Sequence, residues 1–257
     1  MLAPRLAQYW VTAYKRTWRG SVISSFLLPL LYLTAMGEGL GRFVDSGSGA
    51  GALGGVTYLA FIAPGLLATT AMNTAVGEST YPVMGGFKWS RMYYSMAATP
   101  LEPADILLAH LATVAFRILT TCAVFLVVLA AFGALATWWG ALAALATSVL
   151  LGMAHTTPLF ALSARLPEPS AFALVYRLGL MPMTLFSGAF FPVSQLPAAV
   201  SWLAYLTPIW HGVELNRMLT LDEVRLWPAL GHAAYLSVWL VAGWSLARRA
   251  FANRLAQ

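Results

Sequence analysis

Between Phe186 and Leu219 the chain reads FSGAFFPVSQLPAAVSWLAYLTPIWHGVELNRML, apolar enough to enter a bilayer yet interrupted by Pro192, Pro197 and Pro208. Each proline removes a backbone donor and clashes with the preceding turn, which forbids one straight spanning helix. In hydrocarbon the freed backbone groups need partners from protein, so the segment belongs in a protein interior or at the membrane interface. Two short helices that dip into and out of one membrane face meet both conditions. The expectation is a re-entrant hairpin over 192–219, placed just before a last spanning helix.

The rest of the chain supplies the membrane domain. Apolar residues fill 60% of the 257 positions and charged ones 9%, outside the range of soluble globular proteins. At about 20 residues per span the length allows roughly six helices, near 21–41, 56–77, 105–132, 137–163, 171–191 and 228–248. No hydrophilic block is long enough for a soluble domain, so 1–257 reads as a single all-α polytopic unit. Span one contains Pro29 and runs into the loop DSGSGAGALGG, whose composition predicts flexibility. Span two carries Pro64-Gly65 at mid-membrane, which predicts a kink. Span four opens on Trp138-Trp139, an interfacial anchor. Residues 1–19 place Leu2, Leu6, Tyr9 and Ala13 at helical spacing among Arg5, Lys15, Arg16 and Arg19. They read as an interfacial amphipathic helix, or more plainly as a basic flank. No small-residue cleavage site follows, so no cleavable signal is expected.

The basic residues orient these spans. With the N-terminus cytoplasmic, that side holds Arg5, Lys15, Arg16, Arg19, Lys88, Arg91, Arg165, Arg177, Arg248, Arg249 and Arg254, against Arg42, Arg217 and Arg225 opposite. Both termini are therefore expected in the cytoplasm, with the hairpin on the outer side. The net charge of +6 belongs to the inner membrane surface and not to a nucleic acid.

The longest cytoplasmic connection, 78–104, is aromatic. Phe87, Trp89, Tyr93 and Tyr94 alternate with Lys88, Ser90 and Arg91 after Gly85-Gly86. A helix over about 87–97 would be amphipathic. Its aromatic face suits either lipid, with the basic residues snorkelling, or a cytoplasmic subunit. Thr99-Pro100-Leu101-Glu102 matches a capping box with proline first, while Pro103 disfavours helical geometry at Glu102 and leaves Asp105 as the rival cap.

Enzyme motifs are missing. There is no GxxxxGK[ST] to cradle nucleotide phosphates, and no HExxH, GxSxG or Cys/His ligand spacing. The single Cys122 excludes an internal disulfide and reads as a packing residue. His110, His155, His211 and His232 lie far apart in the chain, which favours satisfied membrane histidines over a metal site. The acids cluster at span ends, against a self-powered proton antiporter. Arg117, midway along span three, is the exception: it should face a cavity or protein interior, where it binds a polar headgroup or ties spans together.

Four stretches carry a family resemblance: Tyr58 to Asn73 (YLAFIAPGLLATTAMN), Lys88 to Leu101 (KWSRMYYSMAATPL), Pro182 to Pro197 (PMTLFSGAFFPVSQLP) and Leu206 to Leu219 (LTPIWHGVELNRML). Together they resemble permeases of the type-2 ABC exporter class, especially those similar to the nodulation lipo-oligosaccharide exporter permease and to actinobacterial drug-efflux permeases. Thr207 stands where that family often has asparagine, and the loop before Lys88 is richer in glycine.

The resemblance implies a homodimeric permease in the cytoplasmic membrane of a bacterium that recruits two copies of a separate ATPase. ATP and magnesium would bind that partner, and no cofactor or metal this chain. It implies a coupling segment formed by Phe87, Lys88, Trp89, Arg91, Tyr93, Tyr94, Thr99 and Pro100. It implies a substrate path past Pro64, Asn73, Arg117, Phe186 and Phe190. Over the exit would lie a gate of Phe191, Pro192, Pro197, Trp202, Pro208, His211 and Glu214, with Phe190, Phe191 and Trp202 packing the lid. The cargo would be a hydrophobic, amphipathic or lipid-linked molecule. Two other readings stand beside it: a self-contained secondary carrier, which needs an ion-coupling carboxylate or an inverted repeat, and an intramembrane lipid-modifying enzyme using His211 and Glu214.

Overall fold

The computed structural model describes Leu27, residues 30–46 and residues 55–256. The interfacial helix expected at 1–19, the start of span one and most of the glycine-rich loop lie outside them. Among the described residues every regular element is helical. A π-helical stretch, Thr34–Leu40, runs into α1 (Gly41–Ser46). Then come α2 (Tyr58–Ser79), α3 (Tyr81–Lys88), α4 (Met92–Ala97), α5 (Pro103–Ala131) and α6 (Trp138–Arg165). α7 (Ala171–Leu174), a π-helical stretch (Val175–Leu180) and α8 (Met181–Leu185) are continuous. A 3-10 turn (Val193–Gln195), α9 (Ala198–Tyr205), α10 (Pro208–Thr220) and α11 (Leu226–Leu255) complete the chain.

Among the described residues four helices are long and apolar enough to cross a membrane: Tyr58–Lys88, which joins α2 to α3, then Pro103–Ala131, Trp138–Arg165 and Leu226–Leu255. They correspond to expected spans two, three, four and six. The expected fifth span, 171–191, is helical only from Ala171 to Leu185. Beyond it Gly188 takes a positive φ of 78°, and the chain turns toward Pro192.

Capping sets several boundaries. Thr57 accepts from the Ala60 N–H at 3.3 Å to start α2, and Thr137 accepts from Gly140 at 3.3 Å to start α6; side-chain oxygens of this kind satisfy the orphan donors of a first turn. α5 starts at Pro103, and the Asp105 carboxylate accepts from the Glu102 N–H at 3.3 Å. The Thr99 box is not formed, because the Thr99 hydroxyl donates to the Met96 carbonyl at 2.6 Å. Thr80, at φ −96° and ψ −95°, separates α2 from α3, and Ser163 of α6 donates to the Ser79 carbonyl at 2.7 Å beside that break.

α6 occupies the centre, packed against α2, α5, α10 and, most extensively, α11. Gly243 permits that last contact: a Cβ there would sit 2.3 Å from Thr157 Oγ1 and 2.6 Å from Pro158 Cδ. Thr157 also donates to the Leu240 carbonyl at 3.1 Å. α2 is buried without interruption from Phe61 to Thr69, as expected of a helix that is apolar all round. Pro64 lies within it, and the helix continues through the proline. Cys122 is buried and packs in the core.

α10 runs antiparallel to α6. Asn216 Nδ2 donates to Ser148 Oγ at 3.2 Å, and the Thr220 carbonyl accepts from the Ala136 N–H at 2.9 Å just before α6 begins. α10 is largely buried, whereas α9 exposes Trp202, Leu203 and Tyr205.

Candidate functional site

Three constellations merit functional weight, one at each end of the bundle and one between them. At the first end, α3 and α4 fold onto the C-terminal ends of α6 and α11. Phe87 meets Tyr93 at 4.5 Å and Phe251 at 4.9 Å between ring centroids. Tyr93 meets Phe251 at 5.3 Å, and Phe251 stacks on Phe160 at 5.9 Å. The Tyr93 hydroxyl and His110 Nδ1 are 2.6 Å apart, and burial pushes the Tyr93 phenol above its ordinary range.

This arrangement corrects the sequence expectation in two respects. A single helix over 87–97 is interrupted at Trp89–Arg91, where Arg91 adopts a left-handed φ of 50°. The aromatic face is also turned inward: Phe87 and Tyr93 are 3% and 0% exposed, so neither is presented to a partner. Burying five rings together outweighs displaying them. The outward residues of the expected coupling set are Lys88, Trp89, Arg91, Thr99 and Pro100, with Trp89 60% exposed. Tyr94 is half-buried and donates to the Arg254 carbonyl at 3.4 Å. Lys88 Nζ donates to the Pro167 carbonyl at 2.7 Å. This end thus gathers Lys88 and Arg91 with the C-terminal ends of α6 and α11, which carry Arg165, Arg248, Arg249 and Arg254.

At the opposite end Arg217 is the organising residue, an outer-side charge in the sequence reading. It pairs with Glu214 one turn earlier, donates to the Gly188 carbonyl at 2.8 Å and lies 4.1 Å over the Phe61 ring. Burial draws its pKa below the ordinary value, opposed by Glu214. The 186–190 turn can reach α2 because position 65 is glycine: a Cβ there would lie 2.6 Å from Ala189 Cα and 2.7 Å from its carbonyl oxygen. A cavity of about 190 Å³ lined by Glu214, Arg217, Met218, Glu223, Arg225 and Pro228 opens beside this knot.

His211 faces away from Glu214 in its bonding. Its Nε2 lies 3.0 Å from the Tyr205 carbonyl, its Nδ1 lies 2.8 Å from His232 Nδ1, and its ring stacks on Tyr235 at 3.9 Å. Nε2 must carry the proton to donate to that carbonyl, so neutral His211 accepts at Nδ1 from His232. Burial first, then the neighbouring His232, holds the His211 pKa down to about 4. His211 and Glu214, weighed from sequence as an acid–base pair, therefore serve different partners.

Between the ends, Arg117 meets Glu78 at 2.8 Å. The sequence reading leaves Glu78 in the cytoplasmic loop; the extension of α2 to Ser79 brings it alongside α5. The other residues assigned to the substrate path are not gathered into one lining. Pro64 is buried, Phe186 and Phe190 are half-buried or exposed in the turn, and Asn73 is exposed. Of the gate residues, Pro208 is buried, Phe191, Pro192, His211 and Glu214 are half-buried, and Pro197 and Trp202 are exposed. Glu78, His232 and Phe251 are the residues that sequence reasoning missed. The His-x-x-Glu-x-x-Arg spacing puts Arg217 one helical turn from Glu214, and only its contacts with Gly188 and Phe61 lay beyond the reach of the sequence.

Comparison with known proteins identifies the family. The family described as ABC-2 type transporter matches residues 6–221. Nodulation protein J of Sinorhizobium fredii is 33% identical over 235 residues, covering 89% of this chain and 86% of the relative. Nodulation protein J of Rhizobium leguminosarum bv. trifolii is 31% identical over 253 residues, covering 96% and 94%. The Rhizobium meliloti protein of the same name is 29% identical over 243 residues, covering 95% and 90%.

Proposed function

This chain belongs to the ABC-2 type transporter family, a multi-pass membrane permease of an ABC exporter, and on that premise we propose how it works. A separate ATPase docks on the Lys88–Pro100 segment, two permease copies associate, and an amphipathic cargo leaves the cytoplasmic membrane of a bacterium on the side of α10. The observation that carries this reading is the exposed turn Lys88–Trp89–Ser90–Arg91 seated on a buried aromatic cluster. A docking surface must present polar and aromatic groups outward on a base stiff enough to transmit movement. Here the base is Phe87, Tyr93, Phe160 and Phe251, which belong to α3, α4, α6 and α11.

Orientation rests on the basic residues collected at that end. The re-entrant hairpin is supported by the path of α10. Gly212 lies against Leu151, well inside α6, and Thr220 reaches Ala136 just before α6 begins. The segment thus descends along α6 and returns to the end where α6 starts. Association of two copies is supported by uncovered apolar residues at the end of the first expected span and along the α7–α8 run, where Phe43 and Tyr32, and Leu178 and Met181, are exposed; apolar exposure of this kind calls for lipid or a partner.

The test is co-expression with a candidate ABC ATPase subunit from the same organism. Trp89→Ala combined with Arg91→Glu should abolish co-purification and the permease-stimulated ATP hydrolysis, while the variant keeps its monodispersity. Unchanged co-purification would reject the docking segment. Transport by the permease alone under a proton gradient would reject the exporter reading.

A further inference from the structure

The chain has four histidines, far apart in sequence, and the fold brings two of them together. His110 and His155 are buried in the core. His211 of α10 and His232 of α11 meet near the start of α11, with 5.0 Å between ring centroids and 2.8 Å between their Nδ1 atoms. One of those nitrogens carries a hydrogen and the other accepts it. Both are aimed at the same point, which is how two imidazoles present themselves to one borderline-soft cation.

Both rings are held from outside the pair. His211 donates from Nε2 to the Tyr205 carbonyl at 3.0 Å and stacks on Tyr235 at 3.9 Å. The Tyr235 hydroxyl donates to the Leu206 carbonyl at 2.6 Å, which fixes that ring in turn. Trp210 stands edge-on to both imidazoles, 4.8 Å from His211 and 5.1 Å from His232. Metal-binding histidines are oriented in this way: one N–H is spent on a backbone carbonyl and the other nitrogen is left as the donor. His232 follows Leu226, the first residue of α11, by only six positions, or about 9 Å along the axis. His211 is half-buried beside exposed Tyr205 and Leu206, so the pair lies close to the aqueous end of the bundle.

The donor set is two nitrogens. Glu214, one turn along α10 from His211, is bound by Arg217, and among the described residues no third histidine, cysteine or carboxylate completes a cluster. We propose that His211 and His232 form a two-imidazole site for a divalent ion of the zinc and copper class, with water in the remaining positions, and that the ion ties α10 to α11. The step needs no redox partner. The His232 hydrogen passes from Nδ1 to Nε2, both rings stay neutral, and each Nδ1 gives a lone pair to the ion. Two nitrogens about 2.0–2.1 Å from one tetrahedral zinc lie roughly 3.3 Å apart. The 2.8 Å separation therefore opens by about 0.5 Å, within the play of two side chains. Imidazole suits zinc, copper and nickel, whereas magnesium and calcium take oxygen ligands. Binding there needs no ATPase and no cargo, and so stands apart from the exporter reading.

The experiment uses the full-length permease in nanodiscs of zwitterionic lipid, with every polyhistidine tag removed and metals stripped by EDTA. Its thermal unfolding midpoint is titrated with zinc chloride. Zinc should raise the midpoint saturably, with half-saturation in the micromolar range, weaker than a four-ligand structural site. Magnesium should leave the midpoint unchanged. His211→Phe and His232→Phe keep a ring in each place and should each weaken the half-saturation at least about tenfold, whereas Glu214→Gln should bind zinc as the parent does. Copper(II) at one equivalent gives a readout independent of stability: its paramagnetic resonance spectrum should carry the splitting of two nitrogen donors in the parent and lose it in His211→Phe. The absence of a saturable zinc response, an equal response to magnesium, parental half-saturation in both histidine variants, a lost response in Glu214→Gln, or copper bound without two nitrogens would each overturn the proposal.

Discussion

Replacing Arg217 by methionine should release the 186–190 turn from α2. The side chain keeps its apolar volume but loses the hydrogen bond to the Gly188 carbonyl at 2.8 Å and the contact over Phe61 at 4.1 Å. A charged hydrogen bond contributes about 1.5–3 kcal/mol, and a desolvated cation–π contact about 1–2 kcal/mol. The Glu214 pair is partly exposed and adds little on its own. A net loss of about 3 kcal/mol corresponds to roughly a 100-fold larger open population. Ser187, buried in the same turn, offers a near-isosteric reporter as Ser187→Cys, and buried Cys122 contributes little background. When reclosing outpaces reaction, maleimide labelling tracks the open population. Labelling of Cys at position 187 should therefore accelerate about 100-fold in Arg217→Met. Arg217→Lys should fall between, since it restores the charge but not the planar fork. Rates within about threefold of the parent in Arg217→Met would refute the anchoring role, because a threefold change is worth only about 0.7 kcal/mol.

Two further outcomes follow from the ends of the bundle. His211 is held near 4 against an ordinary 6.5; its folded pKa lies below the unfolded one, so the hairpin is most stable above about 6.5 and loosens as pH falls toward 4. Labelling rates divided by the rate of an unfolded cysteine peptide at the same pH should show that acid-dependent acceleration, and His211→Phe should flatten it; a flat normalised profile in the parent would refute the assignment. Gly86→Ala places a Cβ 2.3 Å from Tyr93 Cε2, inside a ring cluster with no room to yield. Overpacking of that kind costs about 1–3 kcal/mol, more than alanine returns in helix propensity. A lower unfolding midpoint is expected, and an unchanged or higher one would show that the cluster can repack.

The parts of the fold that announced themselves in the sequence were those governed by local chemistry. Long apolar runs marked α2, α5, α6 and α11, and the prolines at 192, 197 and 208 marked where the chain would turn. The early end of the fifth helix at Leu185 was not visible, because the residues after it stay apolar and only the backbone turn at Gly188 ends the run. The direction of the aromatic residues was hidden for a different reason. The sequence shows Phe87 and Tyr93 in one aromatic stretch, but whether they meet a partner or the core depends on Phe251, more than 150 positions away. The same distance problem concealed Glu78 as the partner of Arg117. The contacts of Arg217 with Gly188 and Phe61 were hidden in the same way, because both partners lie far from it in the chain.

α11 touches both working ends of the molecule. Phe251 lies in the aromatic base beneath the Lys88–Arg91 turn, and His232, 19 residues earlier, meets His211 of α10. Those positions are about 28 Å apart on one helix, which makes α11 a rod with fittings at both ends. Under the exporter reading, a displacement at one end would be delivered to the other by rigid rotation, with no relay of side chains required. Length is then the property that matters along its middle. Substitutions on its outward face leave the rod intact, whereas one inserted residue between His232 and Phe251 would turn the two fittings about 100° out of phase and uncouple the ends of an otherwise folded protein.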